Sequence, residues 1–225
     1  MKKLKLNKLL SLILTVAAFV GCSEKKDDKN LHSENNSGSG KEVTSASNKG
    51  ISYKLNLNES KLEWFASKVT GKHNGIVNFT NGNLFIDDTK LTGGNFEADF
   101  GTIKVLDVSD EEMNTKLTNH LKSGDFFSAE TFPKGKFVIT SIKETVSGKY
   151  EITGDLTIKN ISNKITFPAE VSHEGDKVTA QAEVDIDRTL WDIKYRSGKF
   201  FGDLGDKMIN DNFKIKLNLI FEKNS

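Results

Sequence analysis

The chain has 225 residues, of which 36% are hydrophobic and 28% charged, with a formal net charge of +1. This length holds one domain with a substantial core, and the balanced charge gives no sign of a nucleic-acid-binding surface. The single cysteine, Cys22, excludes a disulfide framework, so a hydrophobic interior must stabilise the fold.

Residues 1–21 have the composition of a secretory signal peptide. Lysines precede an apolar run from Leu9 to Val20, which is shorter than the ~20 residues that span a bilayer. Gly21 directly before Cys22 resembles the lipobox of bacterial lipoproteins, although Phe19 stands where that pattern has leucine. The resemblance implies that Cys22 becomes the acylated first residue of the mature chain. An ordinary cleaved signal and an uncleaved anchor helix are the alternatives.

Residues 22–50 are predicted to be the lipidated N-terminus and a flexible linker. Ser, Asn, Gly and Lys dominate this segment, so it lacks the apolar surface needed for ordering. Two or more acyl chains give stable membrane attachment. We therefore expect an exported protein that is lipid-anchored to the cell envelope. Ser23, where an aspartate would favour inner-membrane retention, favours the outer membrane, on its periplasmic or surface face.

Charge is divided unevenly along the chain. Lysines and acidic residues balance within the linker, and the leader carries four lysines. The domain from residue 51 to 225 therefore has a formal charge of −3, and no nucleic-acid partner is expected.

The domain is dominated by a two-residue alternation of apolar and polar side chains. The clearest runs are residues 95–100, 165–171, 178–187 and 213–221. This pattern is typical of strands with one buried and one solvated face.

Turn signals separate the apolar runs. Asn81-Gly82 predicts a two-residue type I′ hairpin that would pair Phe79 with Leu84 on one face. Ser147-Gly148 and Glu174-Gly175-Asp176 predict two further hairpins.

One segment has helical spacing. Ser109 and Glu112 have the separation of a capping box, with Ser109 as the N-cap. Met113, Leu117 and Leu121 then recur on one helical face, so we expect about three turns of helix.

Eight to ten short antiparallel strands close as a barrel or fold as a sandwich. An eight-stranded barrel is either filled by side chains or holds one slender ligand. The inward rows contain small residues that would leave space, namely Ala98, Gly154, Ala169, Ala180 and Ala182. Large neighbours such as Phe96, Phe100 and Phe167 are able to fill it, so both alternatives remain open.

Three later stretches carry a family resemblance. They read His-Leu-Lys-Ser-Gly-Asp-Phe-Phe at 120–127 with Thr-Phe-Pro at 131–133, Thr-Gly-Asp-Leu-Thr-Ile-Lys at 153–159 with Thr-Phe-Pro at 166–168, and Asp-Arg-Thr at 187–189 with Trp-Asp-Ile at 191–193. With Lys-His-Asn-Gly at 72–75 and Gly-Asp at 205–206, they resemble the YceI-like family over nearly all of residues 52–223.

The resemblance implies an all-β, lipocalin-like antiparallel barrel of eight or slightly more strands with one short helix. It also implies an apolar channel that binds a polyisoprenoid or similar long-chain amphiphile, as an envelope carrier, buffer or sensor. The chain departs from the family pattern at Asn160, where glycine is usual, but asparagine also adopts the left-handed conformation.

Inward apolar residues are the candidate ligand contacts: Phe96, Phe100, Ile152, Leu156, Ile158, Phe167, Val184 and Ile186. They are equally suited to a plain barrel core. Phe126 and Phe127 either close one mouth of the barrel or form a plug under the helix.

Three polar residues are candidate contacts to a ligand head group: His73, His120 and Arg188. Arg188 has the planar fork that binds a diphosphate, but it is equally able to pair with Asp185 or Asp187.

No catalytic motif, metal-ligand spacing or cofactor motif is recognisable, so we expect a binding protein. An enzyme acting on an isoprenoid lipid and a filled-barrel interaction module are the alternatives. The expected partners are a long-chain lipid and the membrane, and the sequence gives no indication of oligomeric state.

Overall fold

Ten antiparallel strands follow one another along residues 43–224, the part of the chain that this computed structural model describes. They are β1 Thr44–Ser45, β2 Ile51–Leu55, β3 Lys61–Lys68, β4 Gly71–Asp87, β5 Lys90–Val105, β6 Lys134–Val146, β7 Lys149–Ile158, β8 Ile161–Glu174, β9 Lys177–Asp187 and β10 Asn212–Lys223. The helix α1, Glu111–Lys122, connects β5 to β6. The predicted signal peptide, Cys22 and the linker up to residue 42 lie outside the described residues.

The strands close into a barrel with eight positions. Seven positions follow one another around the barrel as β6, β5, β4, β10, β9, β8 and β7, with one further position between β4 and β10, and β7 pairs back with β6. The eighth position, between β4 and β10, is shared end to end by β2 and β3. This arrangement confirms the predicted antiparallel barrel of eight or slightly more strands with one short helix, because ten strands occupy eight positions.

The two ends of the barrel differ. At the helix end, α1 bridges the end of β5 and the start of β6. At the opposite end lie the connections β4–β5, β6–β7 and β8–β9.

The predicted hairpin at Asn81-Gly82 is wrong. β4 continues through both residues, with a β-bulge between Phe79 and Asn81 in its pairing with β5. The extra residue shifts the alternation by one, so Phe79 and Leu84 both face the interior without a turn. A Cβ on Gly82 would lie 2.9 Å from the Leu55 side chain, so the glycine permits close packing.

Other turn predictions are confirmed. Ser147-Gly148 connects β6 to β7, and Gly148 has φ +76°. Gly175, with φ +61°, lies in the turn between β8 and β9. Lys159 and Asn160 connect β7 to β8 with φ values of 51° and 59°, which is the left-handed geometry of a type I′ turn.

The helix begins one residue later than predicted. Its N-cap is Asp110, whose carboxylate accepts the Met113 N–H at 2.8 Å, and not Ser109. Met113 is exposed, whereas Leu117 and Leu121 pack against the core at the helix end.

Residues that the sequence places in the linker are part of the barrel wall. β5 and β6 pair with each other only along Asn95–Asp99, and β1 pairs with β6 beyond that stretch. The Ser47 N–H donates to the Thr92 carbonyl at 2.7 Å, and Ala46 packs against the core. This N-terminal segment therefore bridges the gap where β5 and β6 diverge.

A second gap lies between β8 and β9, whose pairing stops at Ala169. Pro168, which has no N–H to donate, is the adjacent residue. A 3₁₀ turn, Arg188–Trp191, lies beside β8 there, and Asn163 donates to its Leu190 carbonyl at 2.8 Å. The indole N–H of Trp191 donates to the Leu156 carbonyl at 3.0 Å.

We predict that Gly154→Ala destabilises the fold by about 1–3 kcal/mol. A Cβ there would collide with the Phe137 ring and lie 2.6 Å from the Val138 carbonyl oxygen. Urea denaturation measures the free energy of unfolding. Gly202→Ala is the matched control, because nothing lies within 4 Å of its added Cβ. Equal stability of the two variants would contradict the packing assignment.

Candidate ligand-binding site

The barrel interior contains two apolar cavities, each of about 130 Å³. The central cavity is surrounded by inward side chains of β3 to β10, and Phe79, Phe96, Phe137 and Phe167 contribute aromatic walls. The helix-end cavity lies beneath α1, with Trp64 and Phe100 among its walls.

The two cavities are neighbours. Five residues line both of them: Leu62, Ala98, Gly135, Leu156 and Ile215. Together the cavities form an apolar interior that extends along the barrel.

All ten apolar residues predicted as ligand contacts line this interior. The central cavity is lined by Phe96, Ile152, Leu156, Phe167, Val184 and Ile186, and the helix-end cavity by Phe100, Phe126, Phe127, Leu156 and Ile158. That they contact a ligand stays a prediction.

Small side chains and glycine have different effects here. Ala98, Ala169, Ala180 and Ala182 line the central cavity, as the open-barrel alternative requires. At Gly154 the Phe137 ring occupies the space instead, as the filled-barrel alternative requires. The interior is therefore partly filled and partly open.

Several lining residues were not predicted, including Leu62, Leu84, Phe137, Ile215 and Leu217. A signal for two of them was present, because residues 213–221 alternate clearly. Leu62 belongs to the shorter alternation in β3 with Trp64 and Ala66, and all three line the helix-end cavity.

The helix end is closed by aromatic side chains. The Phe127 ring stacks on Phe100 with centroids 4.7 Å apart, and Phe126 is buried against His120 and Tyr195. The rings of Phe126 and Phe127 also line the helix-end cavity.

The opposite end carries a polar cleft of about 770 Å³, here called the rim cleft. It is lined by residues of the β4–β5 and β6–β7 connections and the end of β8, including an ion pair of Lys149 and Glu170 at 2.9 Å. Leu91, Val171 and Gln181 line both the rim cleft and the central cavity. The apolar interior therefore adjoins a polar surface at this end.

Arg188 lines the helix-end cavity but has structural partners. It is 5% exposed, and its guanidinium donates to the carbonyls of Ile193, Ile209 and Asn210 at 2.8, 3.0 and 3.1 Å. It also pairs with Asp211 at 3.3 Å. These bonds hold the 3₁₀ turn and the segment before β10 together.

The carboxylate partner of Arg188 is thus not one of those proposed from the sequence, Asp185 or Asp187. The Asp187 carboxylate instead accepts hydrogen bonds from the Lys199 ammonium and from the Thr189 hydroxyl, each at 2.6 Å. Although burial raises the pKa of Asp187, the hydrogen bonds from Lys199 and Thr189 outweigh it and lower the pKa below its ordinary value.

The two candidate histidines do not line either cavity. His73 is half-exposed and contacts Asp107 at 3.0 Å, whereas His120 contacts Asp125 at 2.9 Å. Burial raises the pKa of Asp107, but hydrogen bonds from the Asn74 N–H and His73 lower it overall. Both histidines are therefore placed as structural or surface groups.

Within residues 43–224, no group of three or more His, Cys, Asp or Glu side chains is arranged to hold a metal ion. The same part of the chain contains no helix with the length and apolar character needed to cross a membrane.

Comparison with known sequences places most of the domain in one family. The family model described as the YceI-like domain matches residues 53–221. A UPF0312 protein of Staphylococcus aureus (strain USA300) is 42% identical over 76 residues, which is 32% of this chain and 42% of that protein. A UPF0312 protein of Photorhabdus laumondii is 31% identical over 122 residues, covering 54% of this chain and 62% of its own length.

Solved structures share the fold. Burkholderia cenocepacia BcnA superposes with a TM-score of 0.61 at 23% identity, covering 74% of this chain and 98% of that chain. A polyisoprenoid binding domain from Saccharophagus degradans, implicated in plant cell wall breakdown, has a TM-score of 0.57 at 10% identity, with coverage of 77% and 99%. At these identities the likeness concerns the fold alone.

We predict that Arg188→Lys destabilises the protein by about 1–3 kcal/mol, because an ammonium cannot reach three carbonyls and Asp211 in the same geometry. Urea denaturation measures the loss. Arg196→Lys is the control, because the Arg196 guanidinium lies near the surface with its Cζ 5.1 Å from the centroid of the Tyr195 ring. A lysine is able to keep a similar contact there. If Arg188→Lys keeps full stability, the structural role assigned to Arg188 is wrong.

Proposed function

Because this chain belongs to the YceI-like family, we propose that its barrel binds a polyisoprenoid or a similar long-chain amphiphile. The observation that carries the proposal is the pair of adjoining apolar cavities inside the barrel. Binding buries the tail of the ligand without a chemical step. A polyisoprenoid binding domain from Saccharophagus degradans has a similar fold, which supports this ligand class.

Access is proposed through the rim cleft, because it shares wall residues with the central cavity. The helix end is occupied by the aromatic rings of Phe126 and Phe127. A ligand would therefore enter from the end opposite the helix.

Cavity size limits how much hydrocarbon is buried. An apolar cavity of ~150 Å³ accepts a benzene-sized group. Two cavities of about 130 Å³ therefore hold about two five-carbon prenyl units. Burial at ~0.8 kcal/mol per carbon contributes about 8 kcal/mol, within the ~4–15 kcal/mol cost of association. Tail burial alone thus gives weak binding, and further affinity must come from wall movement or polar contacts.

We also propose that the protein acts in the bacterial cell envelope, anchored through acyl chains on Cys22. The leader and the Gly21-Cys22 junction support this. A lipid-binding barrel on a tether would serve there as a carrier, buffer or sensor of membrane lipids.

The first experiment is native mass spectrometry of the chain from Ser23 to Ser225, followed by organic extraction. A bound species with the mass of a prenyl lipid or fatty amphiphile would support the proposal. A protein that is isolated empty and takes up no added isoprenoid would contradict it, and would favour a filled barrel that acts through its surface.

We predict that Ala180→Leu weakens binding of such a ligand about thirty-fold while the fold persists. The added carbons occupy part of the central cavity, so fewer ligand carbons are buried and the binding free energy weakens by about 2 kcal/mol. Asp185→Leu is the matched control, because Asp185 is exposed on the same strand. Unchanged affinity in Ala180→Leu, measured by displacement of a fluorescent apolar dye, would place the ligand elsewhere.

The proposed lipid anchor on Cys22 is tested by removing the cysteine. Cys22→Ala should move the protein from the membrane fraction to the soluble or secreted fraction, because no acyl chain is attached. Metabolic labelling with a fatty-acid analogue provides the direct readout. A variant that stays membrane-bound would indicate an uncleaved anchor helix.

A further inference from the structure

Exposed aromatic side chains are concentrated toward the helix end of the barrel. Within residues 43–224, three phenylalanine rings are exposed: Phe65, Phe200 and Phe201. Phe65 lies near the end of β3, where the chain turns into β4, and the other two belong to the connection between β9 and β10. Both connections lie at the end opposite the β4–β5 and β8–β9 turns. Exposed apolar groups rimmed by polar ones mark a surface that meets a partner or a membrane.

The two adjacent rings, Phe200 and Phe201, are held outward by a tight turn. Their backbone N–H groups both donate to the Ser197 carbonyl, at 3.1 and 3.0 Å, and Ser197 is fully buried. The Ser197 hydroxyl also accepts the Lys199 N–H at 3.2 Å. The two phenylalanines are nevertheless 48% and 51% exposed. Their exposure is therefore built into an anchored turn.

A further apolar side chain lies beside this turn. The Val69 N–H, in the β3–β4 turn, donates to the Met208 carbonyl at 3.3 Å, and Val69 is more than half exposed. Met208 in turn packs against Gly198, where an added Cβ would lie 2.9 Å from its sulfur. Val69, Phe200 and Phe201 are here called the aromatic surface.

The region around the aromatic surface is positively charged. Residues 68–72, which include the β3–β4 turn, and the connection 188–211 together carry seven cationic side chains against four carboxylates, a formal charge of +3. The Lys194 ammonium lies 5.1 Å from the centroid of the Phe200 ring, within the range of a cation–π contact. The domain as a whole has a formal charge of −3, so this region is positive within a negatively charged domain.

The length of the chain before the barrel allows either end to face a membrane. The residues between the proposed acylation site, Cys22, and residue 43 span at most ~70 Å. A strand of 12 residues such as β10, tilted as in other barrels, rises about 30 Å along the barrel axis. The tether therefore brings the domain to a bilayer without selecting the end that meets it.

We propose that the aromatic surface docks on an anionic phospholipid bilayer, with Phe200 and Phe201 inserted at the level of the head groups. Exposed rings flanked by cations have the chemistry of an interfacial anchor, because the rings enter the head-group boundary while lysine and arginine reach the lipid phosphates. This inference rests on the proposed attachment through Cys22 and adds the orientation of the domain on that membrane. The rim cleft, the proposed route of ligand access, then faces away from the bilayer.

The first test is flotation of the chain from Ser23 to Ser225, which lacks the proposed anchor, with vesicles of phosphatidylglycerol or of phosphatidylcholine. We expect binding to phosphatidylglycerol that weakens as salt is added, and little binding to phosphatidylcholine. Phe200→Ser combined with Phe201→Ser should lower the affinity about tenfold or more. Val146→Ser is the matched control, because Val146 is 60% exposed at the opposite end, and it should bind as the wild type does.

The second test measures the orientation on the vesicle. The chain from Ser23 to Ser225 has no cysteine, so a single introduced cysteine carries an environment-sensitive fluorophore at a known position. With Phe201→Cys, the emission should shift to the blue when phosphatidylglycerol vesicles are added, because the label enters a less polar layer. With Val146→Cys, the emission should stay unchanged.

Three results would overturn the inference. Full vesicle affinity after both phenylalanines are replaced, or a blue shift at position 146 without one at position 201, would show that another surface meets the bilayer. Failure of the wild type to bind phosphatidylglycerol vesicles would show that the rings meet a different partner, such as a protein. None of these results depends on tail binding or on acylation, which native mass spectrometry and fatty-acid labelling test separately.

Discussion

Closure of the sheet into a barrel determines the surroundings of every inward-facing side chain. Once eight strand positions pair in a ring, every second side chain must point into a space of fixed width. Each inward position is then either filled or left open. At Gly154 the neighbouring Phe137 ring fills the space. At four alanine positions no ring does so, and the central cavity remains open there. The central cavity therefore lies where the chain has a small inward residue that no neighbouring aromatic ring packs against.

Period-two alternation was enough to predict the strands and their inward rows, but it left barrel and sandwich open, and the family resemblance favoured the barrel. In β8, β9 and β10 the register is regular over the apolar runs, so a residue's parity decides its face. Parity failed as a guide in β4, because a bulge near Asn81 changes it without ending the strand. An Asn-Gly pair favours both a tight turn and local backbone distortion, and only the partner strand distinguishes them.

Polar roles were harder to predict than apolar ones. Arg188 has the chemistry of a phosphate ligand in sequence, but its partners are carbonyls from residues 193, 209 and 210. Those groups are brought together by an irregular segment whose path has no periodic signal. The Trp64 indole N–H is buried without a hydrogen-bond partner, and this too was inaccessible to sequence, because a missing partner is a property of packing.

The N-terminal segment has a mechanical consequence. Residues 44–47 form the seam between β5 and β6, held by few backbone hydrogen bonds, such as those to Thr140 and Thr92. Tension applied to the chain before residue 43 would load this seam ahead of the long ladders of β6 to β10. Leu91 and Ile139, from the two strands that the seam joins, line the central cavity. Opening this seam would therefore part the wall beside the central cavity, so the attachment of residues 44–47 sets how tightly that cavity is enclosed.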